Sequence, residues 1–293
     1  MKLIQNQSFE ILGTPLTLDD AWSFAEKAYR TCYQSSPKDS KTSEEFCRAF
    51  LVNSGDPDRD HMSPLEFGTV YLEGPVWKLW GFTSNKFSRC HREGTTLYVT
   101  TNLRVIFENK WEKYLKYSTR PSYYHQKFYS FSIYTCIQVY KDCRTHRSLS
   151  WAVESTRTCN YIKDRFGNEL TFMLLPRIRD KYTKEQLFIG EDNKVDYEKF
   201  LESNPPRELQ VYIGGMKHCE EEYIELVREL HWKPQEGAQR LPQDTAAHAM
   251  FGGYKDDLIH FFNLRAVGTT GEPHPLVKDL MSQIHYEFNK RCF

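Results

Sequence analysis

A polar stretch in the middle of the chain carries the side chains best suited to chemistry. It contains two arginines, a histidine, a glutamate and several hydroxyl groups, and it runs His146-Arg-Ser-Leu-Ser-Trp-Ala-Val-Glu-Ser-Thr-Arg-Thr-Cys-Asn-Tyr161. Burying so many polar groups without partners would cost kilocalories for each group, so a segment made only for the core would not have this composition. The guanidinium groups of Arg147 and Arg157 are forked donors that suit a phosphate or the carbonyl edge of a base. The stretch therefore predicts a binding site for a polar, anionic ligand.

The same stretch resembles the signature of the flavin-dependent thymidylate synthase family. That signature is Arg-His-Arg, seven residues and then Ser, and here it reads Thr145-His146-Arg147, seven residues and Ser155. The residues that follow are similar to the end of the signature in one branch of the family: Thr156, Arg157, Cys159, Asn160 and Tyr161. Thr145 stands in the place of the first Arg of the motif.

Three other regions resemble the same family in the same order along the chain. They are Ala28-Tyr-Arg-Thr-Cys-Tyr-Gln-Ser35, His61-Met-Ser-Pro-Leu-Glu66, and Pro234-Gln-Glu-Gly-Ala-Gln-Arg-Leu-Pro242 with His260-Phe-Phe-Asn-Leu-Arg265. The central signature also extends into Asp164-Arg-Phe-Gly-Asn-Glu169. The resemblance thus covers nearly the whole chain and is weakest in 74–96, 109–128 and 180–206.

The resemblance implies an enzyme that methylates dUMP to dTMP. In this family FAD carries hydride and the one-carbon unit, and methylenetetrahydrofolate and NADPH are co-substrates. The implied partners are a pyrimidine deoxynucleotide monophosphate, a folate and other copies of the chain, in a homotetramer whose active sites are shared between subunits. No enzyme cysteine attacks the base in this chemistry, so the protein supplies positioning and electrostatics.

The resemblance also assigns roles to individual residues. Arg265 and Ser155 are the predicted catalytic residues, and Arg265 would stabilise negative charge on the pyrimidine ring. The predicted flavin-binding residues are His61, Ser63, Glu66, His146, Arg147 and His260. The predicted nucleotide-binding residues are Glu154, Ser155, Thr156, Arg157, Arg240 and Arg265. Outside a matching motif, a histidine or glutamate of this kind would be expected to have only a structural or solvated role.

Several positions depart from the family pattern, and they keep other functions open. They are Thr145, Ala152, Val153, Ala238 and Asp256, and each lost cation or polar group removes a bond worth about 1.5–3 kcal/mol. Ala238 stands where an Arg usually binds the nucleotide phosphate, and we predict that Arg240 takes over this task. The alternatives are a pyrimidine-nucleotide hydroxymethylase, a dCMP methylase, and a non-catalytic relic that binds a nucleotide or RNA.

The composition limits the class of protein. The 293 residues include 39 Lys and Arg and 39 Asp and Glu, so the formal net charge is zero. A neutral chain has no long-range attraction to nucleic acid or to an anionic membrane, and neither partner is expected. No uninterrupted apolar run approaches the roughly 20 residues of a membrane span, and no signal-peptide pattern is visible. We therefore expect a soluble, cytoplasmic protein.

The eight cysteines follow no metal-binding or disulfide pattern. They form no C-x-x-C pair, and no cysteine pair is followed by paired histidines. We therefore expect reduced, mostly buried thiols and no bound metal. Cys159 lies in the signature, and we favour a structural role for it over a nucleophilic one because no activating partner is evident.

Local patterns predict one α+β domain over 1–293, with a mainly antiparallel sheet flanked by helices, as in the resembled family. Helices are predicted after the capping-box motif at 17–20 and from Ser43 to Gly55. Strands are predicted at 68–73, 97–100, 104–108, 131–139 and 170–175. The last third is predicted to be helical, so strands come first and helices after. A surface insertion is predicted near 180–206.

Overall fold

The computed structural model of the chain describes residues 1–36, 41–52, 61–163 and 166–292. The predicted helix end at Gly55 and the signature residues Asp164 and Arg165 lie outside these ranges. The strands are β1 (Lys2–Ile4), β2 (Ser8–Gly13), β3 (Thr69–Pro75), β4 (Arg89–Glu93), β5 (Thr96–Asn102), β6 (Phe128–Cys136), β7 (Ser150–Val153), β8 (Thr171–Met173) and β9 (Ala246–Tyr254). The helices are α1 (Leu18–Tyr33), α2 (Ser43–Val52), α3 (Val76–Leu79), α4 (Leu103–Glu108), α5 (Ile137–Cys143), α6 (Pro176–Arg179), α7 (Tyr197–Glu202), α8 (Arg207–Ile224), α9 (Pro234–Gly237), α10 (Lys255–Phe262) and α11 (Pro275–Cys292).

In the part of the chain that the structure describes, the strands form three sheets, two of them antiparallel. A four-stranded antiparallel sheet has the order β2-β6-β9-β7, and a three-stranded antiparallel sheet has the order β3-β5-β4. Strands β1 and β8 form a separate parallel pair. The predicted α+β class with mainly antiparallel sheets is therefore confirmed.

Aromatic side chains hold the four-stranded sheet against α10 and α11. Phe131 of β6 pairs with Phe251 of β9, which in turn pairs with Trp151 of β7. The Phe251 ring stacks on the Phe131 ring at 4.7 Å and on the Trp151 ring at 5.0 Å. Phe262 and Phe288 from the two helices pack on the same cluster. Since each buried aromatic contributes about 1.5–3 kcal/mol, this face fixes where β7, and with it the central signature, lies.

Helix α1 forms as the sequence predicts. The Thr17 side chain accepts from the backbone N–H of Asp20 (3.1 Å), and the Asp20 carboxylate accepts from the N–H of Thr17 (3.0 Å). The helical stripe of the sequence is buried, including Trp22 and Tyr29. The capping box therefore sets the start of the helix that ends beside the signature.

The end of β6 differs from the prediction. The sequence predicts one strand over 131–139, but β6 ends at Cys136 and a helix begins at Ile137. The strand ends because its partner ends: Cys136 pairs with Ala246, the first residue of β9. Beyond that pair the apolar residues are buried at helical spacing, as in Ile137 and Tyr140.

Two further predictions of secondary structure are wrong. The segment 104–108 belongs to helix α4, whose first turn is capped by the Asn102 side chain accepting from the N–H of Val105 (2.9 Å). The last third is not all helical, because β9 lies there and pairs with both β6 and β7. Its sequence, rich in alanine and glycine, has little intrinsic strand preference, so long-range pairing decides its conformation.

The C-terminal helices follow the predicted stripes with one exception. On α11 the predicted residues are all buried: Leu276, Leu280, Ile284 and Phe288. On α8 the stripe ends early, because a π-helical turn over Glu225–Glu229 follows and Leu230 is 57% exposed. The wider turn inserts an extra residue and rotates Leu230 off the buried face.

The segment 180–206 contributes to a core. Leu187 and Phe200 are fully buried in a cluster with Leu3 and Phe172. The segment also bonds the N-terminus, since the N–H of Val195 donates to the carbonyl of Met1 (3.2 Å). That it is an insertion stays a prediction. Among the described residues, no helix is both long and apolar enough to cross a membrane.

Candidate functional site

A cavity of about 720 Å³ opens beside β7, the edge strand of the four-stranded sheet. Its walls come from the end of α1, a segment beginning at His61, helix α5, strand β7 with the turn after it, and α9. Six residues assigned to cofactor or nucleotide by the family resemblance line it together: His61, Ser63, Glu154, Ser155, Thr156 and Arg157. Segments far apart in the chain thus meet at one cavity.

The turn after β7 brings backbone donors to this cavity. The N–H of Ser155 donates to the carbonyl of Cys32 (2.9 Å), and the N–H of Cys159 donates to the carbonyl of Ser155 (2.9 Å). Within 1–36, 41–52, 61–163 and 166–292, the N–H groups of Thr156 and Arg157 have no protein acceptor. Adjacent N–H groups in a tight turn carry partial positive charge and favour an anion.

Glu154 ties this turn to the sheet. The residue is buried, with 4% of its surface exposed. Its carboxylate accepts from the Tyr161 hydroxyl (2.8 Å) and from the N–H of His248 (3.1 Å). Burial, and then the neighbouring charge of Glu154, raises the pKa of Tyr161, so the phenol stays protonated and remains a donor. These two hydrogen bonds hold the buried Glu154 carboxylate, and with it the turn after β7, in place.

His61 is fixed on the opposite wall. The Tyr33 hydroxyl lies 2.9 Å from its Nδ1, the Ser63 hydroxyl lies 3.1 Å from its Nε2, and the Tyr29 hydroxyl donates to its carbonyl (2.6 Å). Burial lowers the pKa of His61, so the ring is neutral at pH 7. A neutral imidazole has one donor and one acceptor, and hydroxyl groups can pair with either.

Among the described residues that line the cavity, positive charge exceeds negative charge. Lys141, Arg144 and Arg157 line it, and Glu154 is the carboxylate beside them. Lys141 and Arg144 are not among the residues that the sequence predicts for the site. Lys141 lies on α5 and Arg144 is its C-cap residue, and the two share one face because they are three residues apart in a continuing helical turn. The strand predicted through residue 139 does not show this relation.

Arg265 and His146 form a separate cluster at the end of α5. Nε of Arg265 donates to Nε2 of His146 (2.9 Å), while its Nη2 donates to the carbonyl of Asp142 (2.9 Å) and to the Thr145 hydroxyl (3.0 Å). Because the guanidinium only donates, His146 must be neutral with its proton on Nδ1. Burial, then the charges of Arg265 and His260, lowers the pKa of His146 to about 4. Arg265 thus bonds one carbonyl in the last turn of α5, and its catalytic role stays a prediction.

Glu66 and Arg147 lie in a different place again. They line a groove of about 280 Å³ between the three-stranded sheet and the signature. Glu66 pairs with Arg104 at 2.5 Å. Arg147 forms no ion pair within the described ranges, and the residue is exposed. The six predicted flavin-binding residues therefore do not form one pocket within a single chain.

Arg240 lies outside the cavity lining. Its Nη1 is 3.7 Å from the carboxylate of Glu222, and its side chain is 49% exposed. Gln235, from the same region of sequence, lines the cavity instead. Within one chain, Arg240 therefore does not line the cavity, and its role as the replacement for the arginine missing at Ala238 stays a prediction.

The thiols near the cavity are not poised as nucleophiles. Burial raises the pKa of Cys32, which lines the cavity, to about 11. Cys159 is fully buried. The Cys32 thiol is therefore protonated at neutral pH, and the Cys159 thiol is shielded from solvent. In the part of the chain that the structure describes, no three His, Cys, Asp or Glu side chains are grouped to hold a metal ion. The cavity is suited to binding and orienting an anionic ligand.

Comparisons with known proteins give a distant structural likeness. No protein-family model matches the chain, and no curated protein matches its sequence. Two crystal structures of the UMP/dUMP methylase PolB from Streptomyces cacaoi, with 5-Br UMP and with 5-Br dUMP, are similar to it at a TM-score of 0.43. Their sequences are 15% and 13% identical to this one over 99% of this chain and 91% and 93% of theirs. A TM-score of this size does not establish a common fold.

Proposed function

We propose that the protein binds a pyrimidine nucleoside monophosphate in this cavity and transfers a one-carbon unit to the pyrimidine, converting dUMP to dTMP. The observation that carries the proposal is the convergence of six motif residues on one cavity, whose described lining residues carry an excess of positive charge. The specific fold and activity of the flavin-dependent thymidylate synthases are part of the proposal. They are supported by the four matching sequence regions.

The residues of the cavity have distinct tasks in this proposal. Arg157 and the backbone N–H of Thr156 bind the anionic part of the nucleotide, since both are donors on one turn. Glu154 holds that turn in place through Tyr161. The neutral ring of His61 faces the ligand from the other wall. Because the Cys32 thiol is protonated, the protein contributes positioning and electrostatics rather than covalent attack.

FAD, NADPH and methylenetetrahydrofolate are the proposed cofactor and co-substrates. FAD would supply hydride and one-carbon transfer. Within one chain the predicted flavin residues lie in three places: His61 and Ser63 at the cavity, Glu66 and Arg147 in the groove, and His146 and His260 near Arg265. They do not fit one flavin within a single subunit. We therefore propose a homotetramer in which neighbouring copies complete each site.

The test is binding followed by product analysis. Calorimetry with dUMP, UMP and dCMP should show saturable binding, and Arg157→Gln should weaken it by about tenfold or more. Arg177→Gln is the matched control, because this arginine is 82% exposed and lies on α6. Failure of the wild type to bind any pyrimidine monophosphate would contradict the proposal.

The alternatives are separated by the product. The protein is incubated with FAD, NADPH, methylenetetrahydrofolate and each monophosphate, and the nucleotide is analysed by mass. A methyl group on dUMP supports the proposed activity, whereas a hydroxymethyl group, or a methylated dCMP, identifies the related enzymes. Nucleotide binding without flavin binding or turnover identifies a relic. Size-exclusion chromatography with light scattering tests the tetramer.

A further inference from the structure

We propose that Lys141 of α5 and Arg144, the C-cap residue of the same helix, bind the nucleotide phosphate, in place of the arginine that is missing at Ala238. The proposal rests on the function proposed above and assigns the phosphate end of the same cavity. Both side chains line that cavity together with Arg157.

The geometry of α5 supports this assignment. Lys141 and Arg144 are three residues apart, so their side chains leave the helix on the same face. Arg144 is the C-cap residue, and its N–H donates to the carbonyl of Tyr140 (2.8 Å), which extends the helical turn to this position. Tyr140 lines the same cavity. One face of the helix therefore presents two cations to the ligand.

The charges of these two residues are free to act on a ligand. In the described ranges neither Lys141 nor Arg144 is in an ion pair, whereas Arg240 lies 3.7 Å from the carboxylate of Glu222. The carboxylate of Glu154 in the cavity is already bonded by two donors. A phosphate in the cavity would therefore meet the three cations Lys141, Arg144 and Arg157. None of the three forms an ion pair with a carboxylate in these ranges. An Arg can bind two of its oxygens at once, and a Lys acts as a point charge.

Arg265 removes an obstacle to this assignment. The last carbonyls of a helix carry partial negative charge that would repel a phosphate. Nη2 of Arg265 donates to the carbonyl of Asp142 and to the Thr145 hydroxyl, on the segment that also carries the two cations. The structure thus couples Arg265 to the phosphate end of the cavity through the end of α5.

The experiment compares a nucleotide with its nucleoside. Calorimetry with dUMP and with deoxyuridine is performed on the wild type and on Lys141→Gln, Arg144→Gln and Arg240→Gln. Arg177→Gln is again the control. The first two variants should bind dUMP about 10-fold to 100-fold more weakly, as expected for the loss of one charge-assisted bond. Their affinity for deoxyuridine should stay within about twofold, because the nucleoside has no phosphate.

The possible outcomes separate this inference from the proposed function. Unchanged dUMP affinity in both α5 variants, or a loss confined to Arg240→Gln, would overturn the inference. An equal loss for deoxyuridine would also overturn it, since that result marks a structural role. If the wild type binds no pyrimidine nucleotide, the proposed function fails, and titration with inorganic phosphate then tests the α5 cations alone. If phosphate binds to the wild type and Arg144→Gln abolishes that binding, the assignment of the phosphate to Lys141 and Arg144 is supported. If phosphate does not bind, the assignment is overturned. Unchanged thermal unfolding verifies that each variant folds.

Discussion

Replacing Arg265 with Ala should destabilise the protein and release the titration of His146. The guanidinium makes three bonds, at 2.9, 2.9 and 3.0 Å, to His146, to the carbonyl of Asp142 and to the Thr145 hydroxyl. Bonds from a charged donor contribute about 1.5–3 kcal/mol each, and a cation at a helix C-terminus adds about 0.3–1 kcal/mol. Thr145 is exposed and can bond water once the arginine is gone, and the Asp142 carbonyl keeps the bond that the Thr145 hydroxyl donates to it (2.8 Å), so only the bond to His146 and the helix-end charge count in full. We therefore expect a loss of about 2–4 kcal/mol in the free energy of unfolding.

The titration of His146 reports the same contact independently. Burial is the first cause of its lowered pKa of about 4, and the charge of Arg265 is the second. The Ala variant should therefore show a higher pKa that stays below the usual 6.5. As the pH falls, the unfolded wild-type chain binds this proton at a higher pH than the native chain does. The free energy of unfolding therefore falls as the pH drops from about 6.5 to about 4. The fall should be smaller in the variant.

Urea unfolding at pH 7 and pH 5, with an NMR titration of the histidine ring protons, measures both effects. The His146→Gln spectrum assigns the resonance. Arg265→Lys is the matched control, because it keeps the charge but not the fork, so the pKa should stay low while part of the stability is lost. If Arg265→Ala unfolds at the wild-type urea concentration and its His146 pKa stays near 4, the reasoning is wrong.

Three other substitutions test the packing that positions the site. Tyr161→Phe should cost about 1–3 kcal/mol in urea unfolding, because it removes a donor from the buried Glu154 carboxylate; an unchanged midpoint would contradict this. Gly252→Ala should destabilise the sheet, since its Cβ would lie 2.5 Å from a phenylalanine ring carbon, whereas Gly215→Ala on α8 meets nothing within 4 Å and should stabilise by about 0.5–1 kcal/mol. The melting temperature of Gly252→Ala should therefore lie below that of Gly215→Ala, and the opposite order would refute the argument. Thr17→Ala should cost about 1 kcal/mol by removing the cap of α1, and an effect near zero would show that the capping box does not stabilise the fold.

The sequence predicts the features that local interactions control. The capping box and the buried stripe of α1 depend on residues within a few positions of one another, and both are confirmed. The stripe of α11 is confirmed for the same reason. Six motif residues predicted for the site also line one cavity, because their segments end beside the same edge strand, β7. Their roles stay predictions.

Pairing between distant segments decided the rest. The polypeptide leaves β6 at Cys136 because β9 begins at Ala246, more than a hundred residues later, and no local pattern contains that information. This early end converts 137–143 into helix α5 and places Lys141 and Arg144 on one face at the cavity. The same packing brings Arg265 to the end of α5 and leaves Arg240 beside Glu222. A motif can fix which side chains are present, but the tertiary structure decides which of them face the same ligand, because strand pairing sets where each element ends.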